Sequence, residues 1–177
     1  KEDAEVYSYS LGLPLSTPNI IPSKVLLILE GQGRLIVSVN EKKITLGKLN
    51  PGSFVGLASF ISVKACEEVT ASTELKALAI SDEMILYLLQ HEKSFYDWCC
   101  NKFFYPEIFR LSKIIFNRSN NSDLDIIKVF ESITKDCQIK SLKQNNKSIE
   151  YDDKVCLVGS ANFKNYKIGD LPEKIDD

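Results

Sequence analysis

From Val25 onward the chain alternates short apolar runs with polar breaks. Val25-Leu26-Leu27-Ile28-Leu29 is a continuous apolar run closed by Glu30 and Gly31, short and β-branched in the way of a buried strand. Gly31-Gln32-Gly33 predicts a turn or bulge. In Arg34 to Val39, the residues Leu35, Val37 and Val39 share one face at a period of two. Asn40 to Lys43 predicts a hairpin turn, Ile44-Thr45-Leu46 its return strand, and Asn50-Pro51-Gly52 a further turn. Phe54-Val55 starts another strand that breaks at Gly56, and Leu57 to Ile61 fits one helical turn. Glu68 to Ser72 and Glu74 to Ile80 read as two more strands. Strands this short and this evenly spaced predict an antiparallel β-roll or jelly roll over about residues 20–81. Residues 1–24, with Pro14, Pro18 and Pro22, are expected to be an irregular lead-in after one turn of helix.

The period changes at Ser81. Ser81-Asp82-Glu83 supplies an N-cap and first-turn acids, and Ile85, Leu88 and Leu89 repeat at helical spacing. His91 to Ser94 is expected to bend this helix, and Phe95, Trp98 and Phe103 to continue it. After Pro106 a second amphipathic helix carries Ile108, Phe109, Leu111, Ile114 and Ile115. Asn117 to Ser122 is the best internal boundary. Beyond it a helix over Asp123 to Lys135, a strand over Gln138 to Leu142 and a buried strand over Lys154 to Val158 predict a small second lobe. The expected organisation is therefore α+β and mainly β. It has a β-roll with trailing helices over 1–118, a small α+β lobe over 123–160, and a tail or linker over 161–177.

Composition narrows the function. The 177 residues are 44% hydrophobic and 26% charged with a net charge of −2, which fits a globular protein and gives no concentrated basic face for nucleic acid. No apolar run reaches the roughly 20 residues of a membrane helix, so a cytoplasmic location without a direct membrane span is expected. The chain opens on Lys1 and its only methionine is Met84, so a longer parent polypeptide is expected. Cys66, Cys99, Cys100, Cys137 and Cys156 show no C-x-x-C spacing and read as reduced thiols. Catalysis has little to work with. His91 is the only histidine, too few for a metal cluster in a roll of this kind and the sole imidazole able to activate a serine or cysteine. Glu67-Glu68 and Asp152-Asp153 read as solvated acids. No catalytic residue, metal site or cofactor is expected.

The order of strands, the turn Pro51-Gly52-Ser53-Phe54-Val55-Gly56-Leu57-Ala58-Ser59 and the strand Val69-Thr70-Ala71 resemble the cyclic nucleotide-binding domain over about residues 20–118. That resemblance implies a phosphate cassette in which backbone amides at a short helix, an arginine and a ribose-binding glutamate hold the ligand. Aligned on Phe54-Val55-Gly56 and Val69-Thr70-Ala71, Leu57 takes the glutamate position, and Ala65 the arginine position with Cys66 beside it. The candidate ligand residues are thus Gly56, Leu57, Ala58, Ala65 and Cys66, with Lys64 or Arg34 as substitute cations. A charged hydrogen bond is worth about 1.5–3 kcal/mol, so losing two weakens binding roughly a thousandfold. The resemblance then implies a degenerate cassette and a regulatory or interaction role, with a protein partner or the rest of a longer polypeptide as what it contacts, or a homodimer through helices 82–118.

Phe54 to Ser59 and Cys66 to Ser72 also resemble the amino-terminal region of cyanobacterial toxin or peptide secretion transporters of the ATP-binding cassette class. Any ATPase or transport activity would belong to other parts of such a parent. Two alternatives stay open: a nucleotide or small-ligand sensor using Lys64 or Arg34, and the effector domain of a Crp-type transcription regulator. The latter lacks an evident recognition helix in 123–177.

Overall fold

The computed structural model describes residues 4–118, 125–139, 155–159 and 170. The chain divides into two compact units, Lys1–Tyr96 and Asp97–Asp177. The strands of the first unit are β1 (Ala4–Tyr9), β2 (Pro14–Ser16), β3 (Lys24–Glu30), β4 (Gly33–Val39), β5 (Lys42–Leu49), β6 (Phe54–Val55), β7 (Glu68–Ala71) and β8 (Leu75–Ser81). They form two four-stranded sheets, ordered β1-β8-β3-β6 and β2-β7-β4-β5, and every pairing is antiparallel. Two sheets ordered in this way are an eight-stranded jelly roll, the antiparallel architecture that the strand pattern predicts.

The core is the set of inward residues of both sheets. Leu26, Ile28, Ala77 and Ala79 from one face Leu35, Val69 and Ala71 from the other. Strand alternation delivers them: Leu26 pairs with Ala79, and Ile28 with Ala77. Gly31, between β3 and β4, has φ +81°, and a Cβ there would lie 2.1 Å from the Glu74 carbonyl oxygen. Only glycine fits so close a crossing. The β4–β5 hairpin turns through Asn40 and Glu41, both at positive φ (48° and 66°), as a two-residue hairpin turn matched to strand twist requires.

The lead-in expectation is corrected. Residues 4–9 and 14–16 are not an irregular segment but strands of the two sheets. β1 gives no alternating signal because its residues Ala4 to Ser8 are all exposed. In β2, Pro14 is tolerated because the strand lies at a sheet edge.

The helices follow the sequence except that Phe103 does not continue the helix of Phe95 and Trp98 but lies in a break at 101–104, and Pro106 sits in the first turn of the next helix. The one-turn helix α1 (Leu57–Ile61) sits between β6 and β7, and α2 (Asp82–His91) follows β8. Ser81 caps α2, its Oγ accepting from the Met84 amide at 3.2 Å. The helix ends at Glu92 in extended geometry before α3 (Lys93–Cys100). In the second unit, α4 (Tyr105–Arg118) and α5 (Ile126–Asp136) pack through aromatic edges. The Phe130 ring lies 5.9 Å from Tyr105 and 6.0 Å from Phe109. Asp125 caps α5 by accepting from the Ile127 amide at 2.9 Å. Residues 138–139 and 155–159 carry no strand, so the strand expected from Val155 is absent, although the Val158 amide does bond the Asp170 carbonyl at 3.0 Å. The rest of that expected lobe, 140–154 and 160, lies outside the described residues, as do 119–124 and the tail apart from Asp170.

Candidate functional site

The loop from Gly56 to Glu67 is where the sequence places a phosphate cassette, and its conformation is set residue by residue. Gly56 enters α1 at φ +87°, and a Cβ there would lie 2.7 Å from the Pro22 ring. Leu57 follows with no exposed surface, and Ala58 is also buried. Leu57 is therefore a core residue. After α1 the chain reverses tightly. Ser62 Oγ donates to the Ala58 carbonyl at 2.7 Å, Val63 adopts φ 51°, and the Lys64 amide returns to the Ser59 carbonyl at 3.1 Å. Ser59 Oγ accepts from the Cys66 amide at 3.1 Å. These bonds bring Ala65, Cys66 and Glu67 back across the start of the helix.

The residue that completes the loop is Glu67. It is only 6% exposed, and the Ser59 amide donates to its Oε2 at 3.0 Å. The amides of Gly56 and Ala58 and the Ser59 hydroxyl also support the carboxylate. Its own carbonyl accepts from Ser16 Oγ of β2 at 3.2 Å, which fixes the backbone at the entry to β7. Burial pushes the Glu67 carboxyl above its ordinary value of 4.5, and the surrounding donors pull it partly back. The Glu67 carboxylate thus sits against the backbone at the start of α1.

This corrects the reading of Glu67-Glu68 as a solvated pair. Glu68 is half-buried and pairs with the exposed Lys43; Glu67 is buried. The signal was in the sequence: Glu67, just before β7, has the parity of Val69 and Ala71, which are core residues.

The remaining candidates divide. Gly56, Leu57, Ala58, Lys64, Ala65 and Cys66 belong to one loop, with Lys64 exposed and Ala65 and Cys66 half-buried. Arg34 is exposed on β4 and alternates with the buried, core-facing Leu35, so it lies on the outer face of its sheet, away from the roll interior. Cys66 Sγ lies 3.5 Å from Ser59 Oγ. His91 is exposed in the last turn of α2, its ring 4.5 Å from that of Tyr87. Among the described residues no group of three His, Cys, Asp or Glu is placed to hold a metal, and no helix is long and apolar enough to cross a membrane.

No protein-family model and no curated protein matches the sequence. Solved structures similar to this chain include a transcriptional regulator from Thermotoga maritima. It is 23% identical, with a TM-score of 0.47 over 54% of this chain and 77% of that one. A cyclic nucleotide-binding-like protein from Brucella abortus is 20% identical, with a TM-score of 0.43 over 50% and 77%. A c-di-GMP-responsive global regulator from Xanthomonas campestris is 14% identical, with a TM-score of 0.48 over 75% and 58%. Similarity at this level concerns the course of the backbone and not ligand chemistry.

Proposed function

We propose that this chain is a non-catalytic regulatory or interaction domain whose nucleotide cassette is closed from within by Glu67. The single observation that carries this reading is the buried Glu67 carboxylate bonded at the start of α1. A phosphate approaching those amides meets a like charge already desolvated there. It finds no arginine at Ala65 and no ribose acceptor at Leu57. Lys64 is exposed and Arg34 lies on the outer face of its sheet, so neither replaces the missing cation.

Without a nucleotide to read, the domain acts through its surfaces. Its partner is a protein or the remainder of a longer polypeptide, contacted through the helices that follow the roll. The setting we favour is the cytoplasmic front end of a toxin or peptide secretion transporter. What supports it is the resemblance of Phe54 to Ser59 and Cys66 to Ser72. The full reading frame tests this setting. Membrane spans and a Walker motif elsewhere in it are expected, and a recognition helix in their place would assign the chain to the Crp-type regulators.

The cassette reading is tested by calorimetric titration with cyclic AMP and cyclic GMP at low salt. No heat is expected up to about 1 mM nucleotide, a limit corresponding to roughly −4 kcal/mol. Micromolar binding, lost on Lys64→Ala or Arg34→Ala, would establish the sensor alternative instead.

A further inference from the structure

Four strands lie at the sheet edges of the roll: β1, β6, β2 and β5. An open edge offers unpaired amides and carbonyls to any other strand, and proteins blunt such edges by shortness, proline, lysine or a bulge. Three of the four are blunted in these ways. β6 has two residues; β2 has three and begins with Pro14. β5 is long but carries Lys42, Lys43 and Lys48 and pairs with β4 through a register shift. β1 is different. It is six residues of regular register on β8, without proline, lysine or bulge. Ala4 to Ser8 are all exposed, and Val6 is 58% exposed.

We infer that β1 pairs with β1 of a second copy of this chain about a two-fold axis at Val6, joining the two copies through a continuous eight-stranded sheet. The register follows from the strand's own sequence. A two-fold axis normal to the sheet keeps inward residues opposite inward residues, so the paired numbers sum to an even value. Centring on Val6 pairs only the fully exposed residues. Val6 meets the partner's Val6, Ala4 meets the partner's Ser8, and Glu5 meets the partner's Tyr7. Centring on Tyr7 would instead recruit Tyr9, which already packs against the core.

Charge agrees with this choice. Glu5 is the only charged residue of β1, and in this register it faces a phenol and never the second Glu5. Tyr7 OH and Lys24 Nζ already hold Glu5 Oε2, at 2.6 and 2.9 Å. The phenolic hydrogen is thereby used, but the Lys24 ammonium, bonded to Glu5 and to the Tyr7 oxygen, keeps one further donor on this face. On the outer face, the exposed Val6 side chains cover each other as a cross-strand β-branched pair. The inference is independent of the cassette reading, since no residue of the Gly56 to Glu67 loop takes part.

Sedimentation equilibrium of the full chain from about 1 μM to about 1 mM tests for the dimer, a range suited to an interface of this modest extent. A concentration-dependent monomer–dimer equilibrium is expected. Val6→Lys should raise its dissociation constant roughly tenfold or more by opposing two charges across the axis, with an unchanged circular dichroism spectrum. Register is read by cysteine substitution, with the oxidised parent chain as control and peptide mapping of the bond. Val6→Cys should give a disulfide between the two substituted positions. Ala4→Cys should cross-link only when mixed with Ser8→Cys, because opposed strand positions meet disulfide geometry and offset ones do not. The inference is overturned by a chain that stays monomeric up to about 1 mM, or by a dimer indifferent to Val6→Lys. It is overturned equally by a dimer lost instead on Leu86→Glu with Tyr87→Glu, which would assign the contact to α2. Should Val6→Lys disturb folding, the cross-linking pattern alone decides.

Discussion

Replacing Glu67 tests whether its carboxylate holds the loop. In Glu67→Ala the Ser59 amide loses its acceptor. Each buried donor left unpaired costs about 1–3 kcal/mol. Against this stands the removal of a desolvated charge, which returns part of the loss. With the Ser59 amide orphaned, Glu67→Ala is expected to destabilise the fold by about 1–3 kcal/mol in urea titrations at pH 7. Glu67→Gln separates shape from charge. Its amide oxygen still accepts, and no charge is buried, so a change within about 1 kcal/mol is expected. The pH dependence has a fixed sign. Because burial raises the Glu67 carboxyl above 4.5 in the folded chain, the folded state favours the protonated form relative to the unfolded state. The stability it contributes is complete below the unfolded value and is lost as pH rises through the raised one. The advantage of Glu67→Gln over the parent should therefore grow from pH 4 upward and level off once Glu67 is ionised. A Glu67→Ala variant as stable as the parent would refute the claim that this side chain organises the loop. A Glu67→Gln difference constant across pH would refute its burial.

Other substitutions probe the scaffold. Gly31→Ala should cost about 2–4 kcal/mol in the same urea titration, since it combines φ +81° with a Cβ driven onto the Glu74 carbonyl. Lys43→Ala removes an ion pair whose lysine is 60% exposed and should change stability by less than about 1 kcal/mol, with the residue suppressed by salt. Phe130→Ala empties the aromatic contact between α4 and α5 and should destabilise the second unit by about 3–5 kcal/mol, read as faster amide exchange in both helices.

The roll was legible in the sequence where its strands bury one face. Leu35, Val37 and Val39 alternate, and the turns at Gly31, Asn40 and Gly52 carry residues that tolerate positive φ. It was illegible at β1, where exposure on both faces removes the period that marks a strand, and at β2, which is too short to show one. The N-cap at Ser81 and the break at Glu92 were readable from local chemistry alone. The site was half readable. The alignment drew attention to the loop, but identity by position has no way to say that Glu67 is buried. That required the parity of Glu67 with Val69 and Ala71, a tertiary consequence of which face of β7 meets the core.

The burial of Glu67 bears on what such a loop does. A dissociable phosphate makes a cassette conditional: its amides are satisfied only when ligand is present, and the loop responds to that difference. Under the proposed reading, Glu67 is tethered eight residues from the Ser59 amide it serves, so the acceptor is always at hand and the difference between filled and empty states disappears. A nucleotide entering would have to expel a carboxylate bonded to Ser59 and find room beside Leu57, which has no exposed surface. Both costs fall on the ligand under the proposed reading, and the loop's one cation, Lys64, is exposed. Under the proposed reading the segment from Gly56 to Glu67 is thereby a fixed strut between β6 and β7. Regulation through this domain then has to enter by its surfaces. The unblunted edge at β1 is one place where a second chain can meet it without disturbing the core.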